Sequence, residues 1–213
     1  MNEQRIKEFE KNSDSIFGKN LHNYYNFISW AKFYPDLLLD LMKPETGGIN
    51  LHLDQRIFLR CDVRFMSMYG VFSRGYGKTF DEVLSMVVVA MFFPNIELAL
   101  SAQTKENAAD LLKAKWNEIS KLYPLLKNEL QNDPKFSKGN AYIEFKNGST
   151  IDAIANAQST KGQRRRRLKI EESALLNNVL FQDALEPVVE VPRLTVGKLA
   201  IVDPMAVSYT HLR

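Results

Sequence analysis

The loop 73–79 constrains this sequence most strongly, because it ends in Gly-Lys-Thr and stands between an apolar run and a helical pattern. The apolar run occupies 65–72, and the helical pattern occupies 80–93. Backbone N–H groups of a glycine-rich turn, together with the N-terminus of the following helix, form a ready site for an anion. The spacing therefore predicts a strand, a phosphate-binding loop and a helix, in that order.

The residue types of this loop indicate its chemistry. Lys78 stands where a lysine reaches the β- and γ-phosphates of a nucleotide, and Thr79 stands where a hydroxyl holds Mg²⁺. Phe72 occupies the place of the motif's first glycine, so an ordinary glycine turn with a surface lysine is the alternative. The predicted nucleotide-binding residues of the loop are Ser73, Gly75, Tyr76, Gly77, Lys78 and Thr79.

A short strand pattern at 168–171 ends in two adjacent carboxylates, Glu171 and Glu172. Parallel sheets open their ligand crevice at the carboxyl ends of the strands, where partners for Mg²⁺ and for the attacking water belong. We assign Glu171 to the metal and Glu172 to orienting or deprotonating the water. A solvated pair after an edge strand is the alternative, and Lys169 favours it because central strands are normally apolar.

Further polar residues fit a nucleotide or nucleic-acid site. The amide of Gln55 can both donate to and accept from an adenine edge, although a surface glutamine on a helix explains it equally well. Arg74 is a cation where charge develops on a transferring phosphoryl group, or else a solvent-facing arginine. The run 164–167 is all arginine, and we expect most of it to face solvent or a phosphate backbone. The predicted nucleic-acid contacts are Arg164, Arg165 and Arg166.

Strand and helix patterns alternate along the 213 residues, which indicates an α/β domain with a mainly parallel sheet flanked by helices. Asn147-Gly148 predicts an inserted β-hairpin, and the pattern before residue 50 predicts an N-terminal helical segment. Asp54 is the expected N-cap of the helix that contains Gln55. The remaining strand patterns lie at 95–101 and 199–202, and a helix is predicted over 105–122.

The composition excludes several classes of protein. Cys61 is the single cysteine, which excludes an intrachain disulfide and fits a reducing compartment. The polar start at 1–12 predicts no signal peptide, so the protein is not expected to be secreted. The most apolar run, 83–93, is shorter than the ~20 residues of a membrane span and predicts a buried helix.

These motifs resemble the N-terminal ATPase domain of the large terminase subunit of tailed bacteriophages, over 21–204. The loop 73–79 resembles the family's deviant phosphate loop, which carries an early arginine and often lacks the first glycine. The family usually has Asp where Glu171 stands. The other matching segments are 51–56 on the adenine side, 100–104 after the second strand, and 159–164 before the acidic strand.

The resemblance implies a RecA-like P-loop ATPase fold of the additional-strand class, which hydrolyses Mg·ATP to drive double-stranded DNA into a procapsid. It implies that Arg74 acts on the γ-phosphate and that Glu172 is the catalytic base, with Lys78 and Thr79 binding ATP and Mg²⁺ and Glu171 serving the metal. It also implies a homo-oligomeric ring on a portal protein, a small terminase subunit as partner, and the cytoplasm of an infected bacterium as the location.

The domain prediction has three parts: an N-terminal helical extension at 1–50, an ATPase domain at 51–204 that is incomplete at its C-terminal end, and a non-native tail at 205–213. The tail resembles translated sequencing adapter, so we expect the last eight residues to pack against nothing. The family's C-terminal nuclease domain is expected to be missing. A helicase-like DNA translocase and a non-hydrolysing nucleic-acid-binding module remain alternatives.

Overall fold

The computed structural model of the chain describes residues 21–65, 68–73, 75–155, 157, 160, 163–173, 178–190 and 205–211. Seven strands form one sheet: β1 (Met68–Phe72), β2 (Glu97–Ala102), β3 (Lys135–Ser137), β4 (Asn140–Glu144), β5 (Thr150–Ala155), β6 (Arg167–Ile170) and β7 (Met205–His211). Their order across the sheet is β1-β7-β6-β2-β5-β4-β3. The first five strands in this order run parallel, and β4 and β3 follow as an antiparallel hairpin.

Helices cover both faces of this sheet. The helices are α1 (Leu21–Phe33), α2 (Pro35–Met42), α3 (Leu53–Arg64), α4 (Lys78–Phe92), α5 (Lys105–Leu122), α6 (Asn178–Leu180) and α7 (Glu186–Glu190), with a π-helical turn at Phe181–Leu185. Leu98 and Leu100 of β2 pack in the core formed with α4 and α5, whereas Ala99 packs in a second core with residues of α7. Alternate residues of a central strand therefore enter different cores, as the period of a strand requires.

Local chemistry explains the ends of the helices that position the site. Gly77 precedes α4 with a φ of 89°, a left-handed conformation that glycine adopts without steric cost. The Thr104 side chain accepts a hydrogen bond from the Asn107 backbone N–H and caps α5. The expectation that Asp54 is the N-cap of α3 is wrong, because this helix begins at Leu53 and His52 is its N-cap.

The predicted hairpin is confirmed. β4 and β5 pair in antiparallel fashion, and Gly148 in the turn has a φ of 82°. The side-chain amide of Asn147 donates to the carbonyls of Ala90 and Met91, at 2.7 and 3.0 Å, and so satisfies the C-terminal end of α4. The turn thus fixes the hairpin against the helix that follows the phosphate loop.

The expectation that the last eight residues pack against nothing is wrong for 206–211. These residues belong to β7, which pairs in parallel with β1 on one side and with β6 on the other. A strand in this position satisfies backbone groups that both neighbours would otherwise expose. The predicted strand at 199–202 and residues 1–20 lie outside the described residues, and the three domain boundaries stay predictions.

Most of the arginine run lies within the fold, contrary to expectation. Only Arg164 is exposed; Arg166 and Arg167 are buried, and Arg165 is partly buried. Arg165 forms a bidentate ion pair with Asp152 of β5, at 2.9 and 2.5 Å. Such pairing lets a guanidinium leave bulk water, which the sequence run alone does not reveal.

Lys169, in the middle of β6, is also buried, and it does not mark an edge strand. Its ammonium contacts the carboxylate of Asp62 on α3, and Arg167 lies 3.7 Å from the other oxygen of that carboxylate. Asp62 and Lys169 are 0% and 1% exposed, so each charge depends on the other for compensation.

Among the helices of the described residues, none combines the length and apolarity that a membrane crossing requires.

We expect Asp62→Ala to lower the free energy of unfolding by about 3–5 kcal/mol, because it leaves the Lys169 ammonium buried without its carboxylate. Guanidinium titration measures the change. The double variant Asp62→Leu/Lys169→Met removes both of these charges and is expected to recover part of the loss, because Arg167 also loses its carboxylate partner. Glu118→Ala, at an exposed position of α5, is the control. A loss below about 1 kcal/mol for Asp62→Ala would contradict the assigned pairing.

Candidate functional site

The loop after β1 has the backbone geometry of an anion site. Gly75 and Gly77 adopt φ angles of 83° and 89°, and α4 begins directly after them at Lys78. The N–H groups of Phe80 and Asp81 already donate to the Gly77 carbonyl, at 2.9 and 3.2 Å. The preceding N–H groups of a helix have no partner within it, so they are available to an anion in front of the helix.

The structure brings Lys78, Thr79 and Glu171 into direct contact. Lys78 Nζ lies 2.9 Å from Glu171 Oε1, and the Thr79 hydroxyl donates to the same oxygen at 2.9 Å. Lys78 is 5% exposed and Glu171 is 7% exposed, so the ion pair is buried. The ammonium makes this ion pair and no well-aligned hydrogen bond within the described part of the chain. No phosphate-sized gap therefore separates lysine and carboxylate here.

Two acids of α4, Asp81 and Glu82, lie beside the contact of Lys78 and Thr79 with Glu171. Glu82 is the nearer of the two to Glu171. Burial raises the pKa of Glu82 well above its usual range, and the neighbouring Glu171 raises it further. Burial acts to raise the pKa of Glu171 as well, but the neighbouring Glu82, the charge of Lys78 and the Thr79 hydroxyl outweigh burial and hold that pKa below its usual value. Glu82 is thus the neutral member of the carboxyl pair, and Glu171 is the charged member.

Asp81 forms a second buried contact, toward α3. Its Oδ1 accepts a hydrogen bond from Gln55 Nε2 at 2.8 Å, and Gln55 Oε1 accepts from the His52 backbone N–H at 2.9 Å. Burial raises the pKa of Asp81 to about 7, although the bond from Gln55 opposes the shift. Both ends of the Gln55 amide are therefore engaged inside the protein, where the sequence predicted an adenine contact.

Glu172 lies on a turn after β6 with a φ of 53°, in the left-handed region that residues other than glycine seldom adopt. Its Oε2 lies 3.5 Å from the Gln103 side-chain amide, after the end of β2. Such backbone strain persists where the surrounding structure enforces it, often at functional sites. A cleft of about 480 Å³ opens beside it, lined by Ala102, Gln103, Asn107, Asp110, Leu111, Ala114, Glu171 and Glu172.

The structure separates the arginine run from the acidic pair. Arg164 precedes β6, whereas Glu171 and Glu172 follow it, so the two groups belong to opposite ends of one strand. Arg74 lies outside the described residues. The structure describes Ser73 and Tyr76 beside the glycines of the loop, and the roles assigned to all these residues stay predictions.

Sequence reasoning missed Asp81 and Glu82. The available signal was two adjacent acids within the otherwise apolar pattern at 80–93, which forces carboxyl groups into a core. Lys169 within an apolar strand was a similar signal for a buried partner, but nothing local identifies Asp62 as that partner.

The oxygen atoms at the site fit Mg²⁺. The metal binds through one or two carboxylates and keeps waters and substrate phosphates as its other ligands. Thr79 and Glu171 meet at 2.9 Å and offer such a small oxygen set. Across the described part of the chain, no three His, Cys, Asp or Glu side chains cluster as metal ligands.

Comparison with known proteins identifies the fold through structure alone. No family model matches the sequence, and no curated protein matches it. The HK97 bacteriophage large terminase superposes with a TM-score of 0.61 at 14% identity, covering 84% of this chain and 37% of that one. A large terminase from a thermophilic bacteriophage gives a TM-score of 0.53 at 15% identity, covering 75% of this chain and 38% of that one.

The ATPase domain of the Thermus phage P74-26 large terminase gives a TM-score of 0.51 at 14% identity, covering 75% of this chain and 64% of that domain. At these identities the likeness establishes the fold. The predicted fold class is confirmed: the chain has the RecA-like α/β fold of large-terminase ATPase domains. The chain spans less than two fifths of the length of the first two of these large terminases.

We expect Asp81→Asn to change how stability depends on pH. The pKa of Asp81 is about 7 in the folded chain, whereas an unfolded chain has an Asp pKa of about 4. Between these values the folded state keeps a proton that the unfolded state has lost, so Asp81 lowers stability progressively as pH rises. The asparagine stays neutral and still accepts from Gln55. As pH rises, the free energy of unfolding of Asp81→Asn should therefore fall by at least about 1 kcal/mol less than that of the parent.

Urea unfolding of the parent and of Asp81→Asn, each near pH 4.5 and near pH 7.5, measures the effect. The quantity to compare between the two proteins is the change in the free energy of unfolding from the lower to the higher pH. Asp110→Asn, at an exposed position of α5, is the matched control and should leave the pH dependence unchanged. Equal pH dependences for the parent and Asp81→Asn would contradict the raised pKa.

Proposed function

We propose that this chain is the ATPase motor domain of a tailed-bacteriophage large terminase subunit. The observation that carries the proposal is the meeting of Lys78, Thr79 and Glu171 at the carboxyl edge of the parallel strands. A RecA-like sheet opens its nucleotide crevice at this edge. The shared fold with the HK97 terminase supports the family, and the loop sequence supports the chemistry.

In this proposal the backbone N–H groups of the loop and the Lys78 ammonium hold the phosphates of ATP. Lys78 has to leave Glu171 in order to reach a phosphate oxygen, and the exchange replaces one buried ion pair by another. Thr79 and Glu171 hold Mg²⁺, which would neutralise charge on the β- and γ-phosphates. Ser73, Gly75, Tyr76 and Gly77 would shape the loop, and Gln55 would be the adenine-side residue if its amide exchanges Asp81 and the His52 N–H for the base.

Glu172 would orient the attacking water and accept its proton. Its half-buried carboxylate lies beside Glu171 on a turn whose left-handed backbone sets its direction, and Gln103 contacts it. Arg74 would stabilise charge on the transferring phosphoryl group. The neutral state of Glu82 matters here, because a third nearby negative charge would oppose an approaching triphosphate.

The remaining parts of the proposal concern the assembly. The motor would move double-stranded DNA, as a homo-oligomeric ring on a portal protein with a small terminase subunit, in the cytoplasm of an infected bacterium. Among the arginines predicted to contact nucleic acid, Arg164 is exposed, and in this proposal it would meet a phosphate backbone. A helicase-like translocase has the same two nucleotide motifs and is the alternative motor.

We expect Lys78→Ala to weaken the binding of Mg·ATP at least about tenfold, because it removes the cation that meets the phosphates. Titration with a fluorescent ATP analogue measures the dissociation constant. Lys115→Ala, which loses a partly exposed lysine of α5, is the matched control and should bind as the parent does. Unchanged binding by Lys78→Ala would remove the phosphate-loop assignment.

We expect Glu172→Gln to lower the steady-state rate of ATP hydrolysis by about 100-fold or more while nucleotide binding is retained, because an amide accepts no proton from water. Phosphate release measures the rate. Glu118→Gln is the control at an exposed position. Equal rates for Glu172→Gln and the parent would favour the non-hydrolysing module.

A further inference from the structure

An aromatic stack occupies the position where a phosphate loop normally begins with glycine. The ring of Phe72 stacks on the ring of Tyr76, with centroids 5.1 Å apart and planes inclined by 29°. Phe72 also contacts Phe58 of α3, edge to face at 6.1 Å. Such pairs add directional attraction to the burial of their area. The residue that departs from the motif therefore joins the loop to α3.

The hydroxyl of Tyr76 makes a second link to the same helix, through a hydrogen bond with the Asp54 carboxylate. This bond holds the pKa of Asp54 below its usual value, while burial and Asp54 raise the pKa of Tyr76. The ring and the hydroxyl of Tyr76 are thus both engaged, by residues at the end of β1 and at the start of α3.

Tyr76 stands between the two glycines of the loop. Gly75 and Gly77 have positive φ angles, and nothing lies within 4 Å of where their side chains would be. Glycine loses more backbone conformational freedom on ordering than any other residue. Elsewhere in the loop, the side chain of Ser73 is exposed and that of Thr79 is half-buried. Among the described loop residues that precede α4, Tyr76 is the one whose side chain links the loop to another helix.

We propose that Tyr76 is a positioning residue that holds the phosphate loop in its anion-binding shape, by means of the Phe72 stack and the Asp54 hydrogen bond. The proposal deepens the proposed function and rests on it. A loop already ordered before the ligand arrives loses less conformational freedom on binding, so affinity rises without any contact to the ligand. Since the loop meets only phosphates, the gain should be the same for every ligand with a triphosphate.

Inorganic tripolyphosphate with Mg²⁺ is the probe that separates loop positioning from contact with a base. We expect Tyr76→Leu to weaken the binding of tripolyphosphate and of ATP by the same factor, about tenfold. Tyr76→Phe keeps the stack and loses the hydrogen bond, so it should weaken both by about threefold. In steady-state hydrolysis the KM for ATP should rise in both variants while kcat stays near that of the parent.

A double-variant cycle tests the hydrogen bond itself. Asp54→Ala should weaken binding to a similar degree as Tyr76→Phe, and the combination should be no worse than either change alone, because both remove one shared contact. Tyr69→Leu, an exposed tyrosine on β1, is the matched control and should bind both ligands as the parent does.

Other outcomes overturn the proposal. Weaker binding of ATP with unchanged binding of tripolyphosphate would make Tyr76 a contact to the base. Unchanged binding of both ligands by Tyr76→Leu, Tyr76→Phe and Asp54→Ala, with Lys78→Ala still defective, would refute the positioning role and leave the proposed function intact. Unchanged binding of both ligands by Lys78→Ala would refute the proposed function instead.

Discussion

The contact between Lys78 and Glu171 depends on the register of three parallel strands. Lys78 follows the loop after β1, Glu171 follows β6, and β7 lies between these strands with Phe72 aligned to His211 and Ile170 to Ser208. Neighbouring strands lie about 4.8 Å apart, so the two strand ends are about 10 Å apart across the sheet. In this register β1 extends three residues beyond the level at which β6 ends, and Lys78 and Glu171 meet beyond these strand ends. The site is therefore a consequence of sheet register, which β7 sets.

Buried charges attach the rest of the domain to this edge. Lys169 lies on β6 and Glu171 directly follows this strand, two residues further on, a spacing that places side chains on one side of a strand. Lys169 contacts Asp62 of α3, and Glu171 contacts α4 and its loop. A buried ion pair adds little net stability but permits few alternative arrangements, so we infer that these pairs specify how α3 and α4 sit against β6. The Gln55–Asp81 hydrogen bond joins the two helices directly.

Local signals made much of the fold predictable. The helix at 105–122 and the Asn147-Gly148 hairpin were predicted at their observed places, because periodicity and turn chemistry act over a few residues. The loop and the acidic strand were predicted from spacing alone. The sequence did not predict the burial of the arginine run or the pairing of β7, because each of these depends on partners distant in the sequence. Asp152 compensates Arg165 from another strand, and no local pattern reports that neighbour.

Charge balance at the site gives a physical reason for nucleotide and metal to bind together in the proposed function. Without ligand, Glu171 is balanced by Lys78, while burial keeps Glu82 neutral. If Lys78 turns to a phosphate, Glu171 is left buried with only the Thr79 hydroxyl and the neutral Glu82 beside it, which costs several kcal/mol on the order of an unpaired buried ion. Glu171 would then need another cation, and the proposed Mg²⁺ would supply one. In the proposed function the carboxylate would therefore have a positive partner in both states, and the identity of that partner would depend on whether nucleotide is bound.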